Sequence, residues 1–265
     1  MEHLSAPAKR SPEPPLFIGR NRPEREVLIG MVFFLATLAL FFGTQSIVML
    51  QQAWQLLPEL IGQPFDGSLL KDNAVRVGLA QLAFHGDVVA LAALWSGVVG
   101  LAALWAGTRL WKHDGGFRQL LGLYLPSAKQ LFLWVGVFLA LAAGIETLGH
   151  FFTRFTTDYM ARVLGSTTNM TLLVLGVGVV APVFEEFLLR GLFYGALRHA
   201  LDPHQSIALT AGIFALMHLQ YNWPVMLLIL PLGALFGYAR YYSGSLLLPI
   251  LLHMLNNLAG VFFGA

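Results

Sequence analysis

The stretch LLVLGVGVVAPVFEEFLLR, residues 172–190, decides the fold class because it combines a long apolar run with two adjacent acids. The run is long and apolar enough for a helix that crosses a bilayer, which needs about 20 such residues. Glu185 and Glu186 interrupt it, and a charge near the bilayer centre costs roughly 2.5–3.5 kcal/mol on insertion scales. The two carboxylates are therefore expected to be paired, protonated or facing water, and they mark a candidate functional site.

The composition agrees with a membrane protein. Hydrophobic residues make up 57% of the chain and charged residues 11%, whereas a soluble domain has about 25% charged residues. The chain contains no cysteine, which excludes disulfides, thiolate nucleophiles and cysteine-based metal sites. Catalysis must therefore use Glu, His, Asp, Ser, Thr or water.

We predict an all-α fold, a polytopic transmembrane helical bundle of about seven to eight spans with a polar site buried at membrane depth. The candidate spans lie near residues 27–50, 87–110, 130–152, 169–192, 205–220, 224–241 and 246–264. The longest connection is 51–86, and its second half could be an interfacial or partly inserted helix.

The ends and loops of the chain predict its orientation. Residues 1–26 are polar and contain five prolines, which indicates a disordered tail. The tail and the loops on its side of the predicted bundle are richer in Lys and Arg than the opposite side, so the N-terminus is expected to be cytoplasmic. We expect a multi-pass integral membrane protein of a prokaryotic inner membrane.

The acidic motif contains its own counter-ion. Glu186 and Arg190 are four residues apart and can pair on one helix face, whereas Glu185 points about 100° away. Pro182 stands just before the acids, and a proline inside a helix predicts a kink that could open a polar pocket. The motif alone is also explained by an ion pair that packs helices, or by a cytoplasmic helix end.

Two later apolar runs each carry one histidine, His218 and His253. Phe214 precedes His218 by four residues and Asn257 follows His253 by four, so each pair shares a helix face. His253 and Asn257 could donate hydrogen bonds to one anion. Each motif alone is also explained by polar contacts between membrane helices. Together with the acids, the three motifs predict one buried polar site.

In this order, Glu-Glu-x-x-x-Arg, Phe-x-x-x-His and His-x-x-x-Asn resemble the CPBP family, the CAAX-protease and bacteriocin-processing (Abi) intramembrane proteases that include CAAX prenyl protease 2. The surrounding residues also fit: Ala181-Pro182, Arg190-Gly191, and Ser243-Gly244-Ser245-Leu246 leading through Pro249 to His253. The resemblance covers about residues 165–260. We therefore divide the chain into the tail 1–26, N-terminal transmembrane helices and connection 27–164, and a CPBP-like catalytic helical core 165–265.

The resemblance implies an intramembrane glutamic endopeptidase without a cofactor. By position, Glu185 is the catalytic glutamate and His218 is its partner in activating a water. The remaining roles carried over are oxyanion stabilisation by His253 and Asn257 and support by Glu186 and Arg190. A desolvated glutamate is a useful general base, and oxyanion donors usually supply much of the rate gain. The expected partners are a membrane-associated peptide or protein substrate and the lipid bilayer, not nucleic acid.

Two alternatives remain open on the sequence. A zinc-dependent membrane protease could use Glu185, His218 and His253 as the two-histidine, one-carboxylate ligand set of a catalytic zinc. The family resemblance and Asn257 favour the metal-free version. A non-enzymatic transporter, immunity or scaffold protein could instead use the same cluster for proton relay or packing.

Two further polar pairs lie near the ends of predicted spans. His85 and Asp87 flank the second span, and Glu146 and His150 are four residues apart near the end of the third. Either pair could line a water path. Interfacial capping or solvation is the simpler interpretation of both.

Overall fold

The computed structural model describes residues 23–62, 71–110 and 121–264, and in these ranges every regular element is helical and none is a strand. The helices are α1 Pro23–Ile61, α2 Asn73–Leu82, α3 Gly86–Leu110, α4 Ala128–Phe151, α5 Tyr159–Gly165, α6 Met170–Leu197, α7 Pro203–Leu216, α8 Trp223–Ser243 and α9 Leu247–Phe263. The predicted tail 1–26 lies outside the described residues except for its last four positions, which begin α1.

Within the residues that the structure describes, five helices are long and apolar enough to cross a membrane: Val27–Glu59, Gly86–Arg109, Ala128–Phe151, Met170–Leu197 and Trp223–Ser243. They confirm an all-α, multi-pass integral membrane protein. The predicted spans 205–220 and 246–264 are also helices, but α7 has 14 residues and α9 has 17. A full crossing needs about 20 residues, so these two are shorter than the sequence predicts.

The connection predicted at 51–86 is also more helical than expected. α1 continues through residues 51–61 and is followed by Gly62. The φ of Gly62 is 68°, the left-handed conformation that favours glycine directly after a helix. α2 occupies the second half of the connection, where the sequence suggests a short helix. Its Val75 and Leu82 are buried against Leu57 of α1. α1 and α2 therefore pack against each other through apolar side chains.

Side-chain caps determine where the later helices begin. Ser127 and Gln130 form a reciprocal capping box at the start of α4, and Asp202 and Gln205 form another at α7. Each box satisfies backbone N–H groups that have no partner inside the helix. α8 ends at Gly244, which adopts φ 68°. These signals come from local sequence and fix the register of the C-terminal helices.

α6 is the central helix, and it is not regular. Its segment Ala181–Glu186 is α-helical, but wider π-helical turns lie on both sides, at Val174–Val180 and Phe187–Phe193. Just before Pro182, the backbone N–H of Ala181 donates to the carbonyl oxygen of Gly176, five residues earlier. The helix therefore continues through the proline instead of ending there. Such wide turns are frequent at functional sites.

The largest buried cluster surrounds the middle of α6. It joins Phe184 and Leu188 to aromatic and aliphatic side chains of α1, α3, α4, α7, α8 and α9. α3 crosses α6 closely because Gly176 faces the backbone of Ala90, where a Cβ would overlap the carbonyl oxygen. The acidic motif therefore lies within the largest buried apolar cluster of the described residues, where an unpaired charge is costly.

Candidate active site

The adjacent acids of α6 have different surroundings, as their 100° separation predicts. Glu186 and Arg190 form a fully buried ion pair, with 2.9 Å between Oε1 and Nη1. Arg190 also donates from Nη2 to the carbonyl oxygen of Gly233 on α8, at 2.6 Å. The predicted i, i+4 pairing is therefore present, and it ties α6 to α8.

Two phenylalanine rings enclose this ion pair. The Arg190 guanidinium lies 4.8 Å from the ring centroid of Phe214 and 5.6 Å from that of Phe236. Both rings also contact His253, with centroid separations of 5.2 Å and 5.0 Å. A cation over aromatic faces is stabilised by the ring quadrupole. The same rings therefore hold Arg190 and His253 together.

His253 lies between the two acids. Its Nδ1 donates to Glu186 Oε1 at 2.9 Å, and its Nε2 is 3.9 Å from Glu185 Oε2. Its side chain is only 2% exposed. Since Glu186 also accepts from Arg190, this carboxylate fixes the orientation of the imidazole and directs Nε2 toward Glu185.

Glu185 faces a cavity of about 780 Å³. Its side chain is 12% exposed, and among the described residues Oε2 has no hydrogen-bond partner although it is buried. A buried carboxylate oxygen without a partner is rare, because leaving it unsatisfied costs free energy. Glu185 therefore borders the cavity with a carboxylate that the surrounding described residues leave partly unsatisfied.

His218 lies beyond the end of its helix, contrary to the predicted span 205–220. α7 ends at Leu216 and the chain turns, so the histidine belongs to the turn. Its Nδ1 nevertheless donates to the carbonyl oxygen of Phe214 at 2.7 Å. A carbonyl oxygen can only accept, so in the neutral ring the proton is on Nδ1 and Nε2 is an acceptor.

Asn257 is more engaged than the sequence indicates. Its Nδ2 donates to the carbonyl oxygen of Val177, at 2.9 Å, within the first π-helical segment of α6. Asn256 in turn donates to Asn257 Oδ1 at 3.3 Å. The Asn257 amide has a second N–H, and the residue lines the cavity, so one donor remains for a ligand.

The fold therefore brings the predicted site residues together in two groups. Glu185, His218, His253 and Asn257 line the cavity. Glu186 and Arg190 lie behind it and do not line it. Sequence reasoning missed Tyr221, which also lines the cavity, and the Gly233 carbonyl, which no residue type could have indicated.

The other polar pairs have separate surroundings. Asp87 accepts hydrogen bonds from the backbone of Thr168 and Asn169 and from the Thr168 hydroxyl. It joins α3 to the start of α6, in agreement with the capping interpretation. Glu146 is exposed at the rim of the cavity. Within the described ranges, no three His, Asp or Glu side chains are arranged so that they could hold one metal ion.

Comparison with known proteins identifies the same region. Residues 167–259 match the family model described as type II CAAX prenyl endopeptidase Rce1-like. The chain is 33% identical over 138 residues to an uncharacterized 24.3 kDa protein of Escherichia coli, covering 50% of this chain and 59% of that protein. It is 30% identical over 88 residues to the membrane-embedded CAAX protease MroQ of Staphylococcus aureus (strain USA300), covering 31% and 34%. No solved structure matches.

The matched region contains every residue predicted for the site: Glu185, Glu186, Arg190, His218, His253 and Asn257. Both relatives are bacterial, which agrees with the predicted location in a prokaryotic cell membrane. The family resemblance is confirmed: residues 167–259 of this multi-pass membrane protein match the Rce1-like family model of type II CAAX prenyl endopeptidases.

Proposed function

We propose that this protein is an intramembrane glutamic endopeptidase that hydrolyses a peptide bond of a membrane-associated peptide or protein. One observation carries the proposal: Glu185, His218, His253 and Asn257 line a single cavity inside an apolar bundle. The Rce1-like match supports a membrane endopeptidase as the general class.

The water-activating step is assigned to Glu185 and His218, which both line the cavity. The Nδ1 hydrogen bond of His218 leaves its Nε2 as an acceptor. A water in the cavity that donates to the Glu185 carboxylate and to His218 Nε2 is polarised and oriented for attack. Glu185 takes one proton from that water while the water oxygen forms a bond to the scissile carbonyl carbon.

Stabilisation of the tetrahedral intermediate is assigned to α9. The second N–H of Asn257 is available, and His253 Nε2 can donate when the ring carries a proton on both nitrogens, because Nδ1 already donates to Glu186. Donors held by other contacts need no reorganisation when charge develops on the oxygen. When the intermediate collapses, the C–N bond breaks and Glu185 returns its proton to the leaving amine.

Glu186 and Arg190 are assigned a supporting role. Arg190 neutralises Glu186, and Glu186 orients His253. Glu185 lies 3.9 Å from His253 Nε2, beyond hydrogen-bond distance, so its carboxylate is held less tightly than that of Glu186. Two neighbouring acids thus have two different tasks, set by their surroundings.

The test uses the full-length protein reconstituted in liposomes. It is incubated with a library of quenched fluorogenic peptides that carry an apolar anchor, and products are identified by mass spectrometry. In parallel, a Glu185→Gln variant is used to capture membrane peptides that bind without being cleaved. Cleaved peptide bonds in the wild type support the proposal. Absence of products and captured peptides, together with proton-coupled flux across the liposomes, would favour a transporter instead.

We predict that Asn257→Ala lowers kcat by about 10²–10³-fold with little change in KM, the usual effect of losing an oxyanion donor. The substitution also removes the hydrogen bond to Val177, worth about 1 kcal/mol, so thermal stability is measured in parallel. Asn256→Ala is the matched control, because Asn256 lines the same cavity but is assigned no contact with the substrate. An equal loss of kcat in both variants would contradict the assignment.

A separate prediction concerns metal. We expect activity to survive exhaustive chelation, and His253→Ala to leave the metal content unchanged. The test quantifies metals in the purified protein by mass spectrometry and compares activity before and after chelation. The bond from His218 Nδ1 to a backbone carbonyl also occurs in metal-binding histidines, so the comparison is informative. Stoichiometric zinc whose removal abolishes activity, and whose return restores it, would replace the proposed mechanism with the zinc alternative.

A further inference from the structure

Tyr221 stacks on the imidazole of His218. The ring centroids are 6.1 Å apart and the planes differ by 9°, which is an offset parallel arrangement. The backbone explains this position: the Tyr221 N–H donates to the His218 carbonyl oxygen at 3.1 Å, closing a tight turn directly after α7. The turn places the side chain of the fourth residue beside that of the first.

His218 needs such a contact because it does not lie on a helix. Its Nδ1 hydrogen bond to Phe214 fixes one point of the ring, but a ring held at one point can still pivot about it. The Phe214 ring meets the imidazole edge to face, with ring centroids 4.7 Å apart, and limits rotation of the imidazole in one direction. The Tyr221 ring limits its rotation in the opposite direction. The imidazole, which lines the cavity, is thereby restrained on both sides.

Tyr221 is itself held in place by an aromatic side chain of α5. The Tyr159 ring meets Tyr221 edge to face, with centroids 5.1 Å apart and planes at 75°. Tyr159 is 9% exposed and belongs to a buried cluster with Val163 and Leu173. A continuous series of aromatic contacts therefore extends from α5 through Tyr221 to His218.

We infer that Tyr221 is a positioning residue of the active site, whose ring holds the His218 imidazole in the orientation needed to bind the attacking water. This inference rests on the proposed function, because it assigns that water to Glu185 and His218. It makes the aromatic ring necessary and assigns the phenolic hydroxyl no role.

The first test compares Tyr221→Leu with Tyr221→Phe in the liposome assay, using a peptide that the wild type cleaves. Misplacing a catalytic group by about 1 Å can cost on the order of 10²-fold in rate, so we expect Tyr221→Leu to lower kcat by about 10- to 100-fold at similar KM. Tyr221→Phe keeps the stacked ring and should restore kcat. The acidic limb of the pH–rate profile should change only in the leucine variant.

The matched control is Tyr242→Leu. Tyr242 stacks on Tyr238 with the same 6.1 Å centroid separation, but neither residue lines the cavity. This variant should retain the wild-type kcat. If the phenylalanine variant loses as much activity as the leucine variant, or if the leucine variant loses none, the ring is not a positioning element and the inference is wrong.

The second test does not depend on turnover. Carbethoxylation of His218 by diethyl pyrocarbonate, followed by peptide mass spectrometry, reports how closely the imidazole is held. We expect faster labelling in Tyr221→Leu and wild-type labelling in Tyr221→Phe. Equal labelling in all three proteins would overturn the inference. An inactive wild type with the expected labelling pattern would contradict the proposed function while leaving the ring contact supported.

Discussion

Glu185→Gln is expected to abolish peptide hydrolysis while leaving the protein folded. The substitution keeps the size and shape of the side chain but removes the carboxylate that accepts a proton from water. Glu185 Oε2 has no hydrogen-bond partner among the described residues, so no hydrogen bond of that oxygen within them is lost. Stability should therefore change much less than activity. General-base catalysis alone contributes about 10²–10⁴-fold, and the same group also protonates the leaving amine.

The measurement is the initial rate of peptide cleavage in liposomes, with the thermal midpoint in detergent recorded for the same preparations. Glu146→Gln is the matched control, since Glu146 lines the same cavity but is exposed at its rim. That variant should cleave at nearly the wild-type rate. Wild-type cleavage by the Glu185 variant would show that another group is the base.

Arg190→Ala should instead destabilise the protein. Arg190 and Glu186 are both fully buried, and the substitution leaves Glu186 buried without its arginine. Removing one member of a buried ion pair costs roughly 3–5 kcal/mol. The hydrogen bond to Gly233 and the contacts with two aromatic rings are lost as well.

A thermal-shift measurement in detergent tests this expectation. Arg76→Ala on α2 is the control, because Arg76 is exposed and should tolerate the change. Arg190→Lys should give an intermediate result, because an ammonium keeps the charge but lacks the planar fork that reaches two acceptors. If Arg190→Ala melts at the same temperature as the control, the ion pair does not stabilise the fold.

Local sequence accounts for much of the architecture. The apolar runs, the capping residues before α4 and α7 and the four-residue spacing of Glu186 and Arg190 all act within one helix or one turn, so their effects can be predicted without knowing the neighbours. The family resemblance likewise depends on residue order and is read directly from the chain. The extension of α1 past residue 50 was not predicted, because the predicted span stopped where the apolar run stops, before Gln51. Glutamine is nevertheless a good helix former, so the helix continues.

The all-helical membrane class, the CPBP-like C-terminal region and the six polar residues of the candidate site could all be predicted from the sequence alone. The partners of those six residues depend on the tertiary structure. His253 could have paired with either acid, and Asn257 was free to remain without a protein partner. These contacts depend on where α6, α8 and α9 cross, so packing between segments distant in sequence sets them. The contact between Tyr221 and His218 forms in the local turn after α7, but the Tyr159 ring that holds Tyr221 comes from α5. No spacing within one helix can encode such contacts between distant segments.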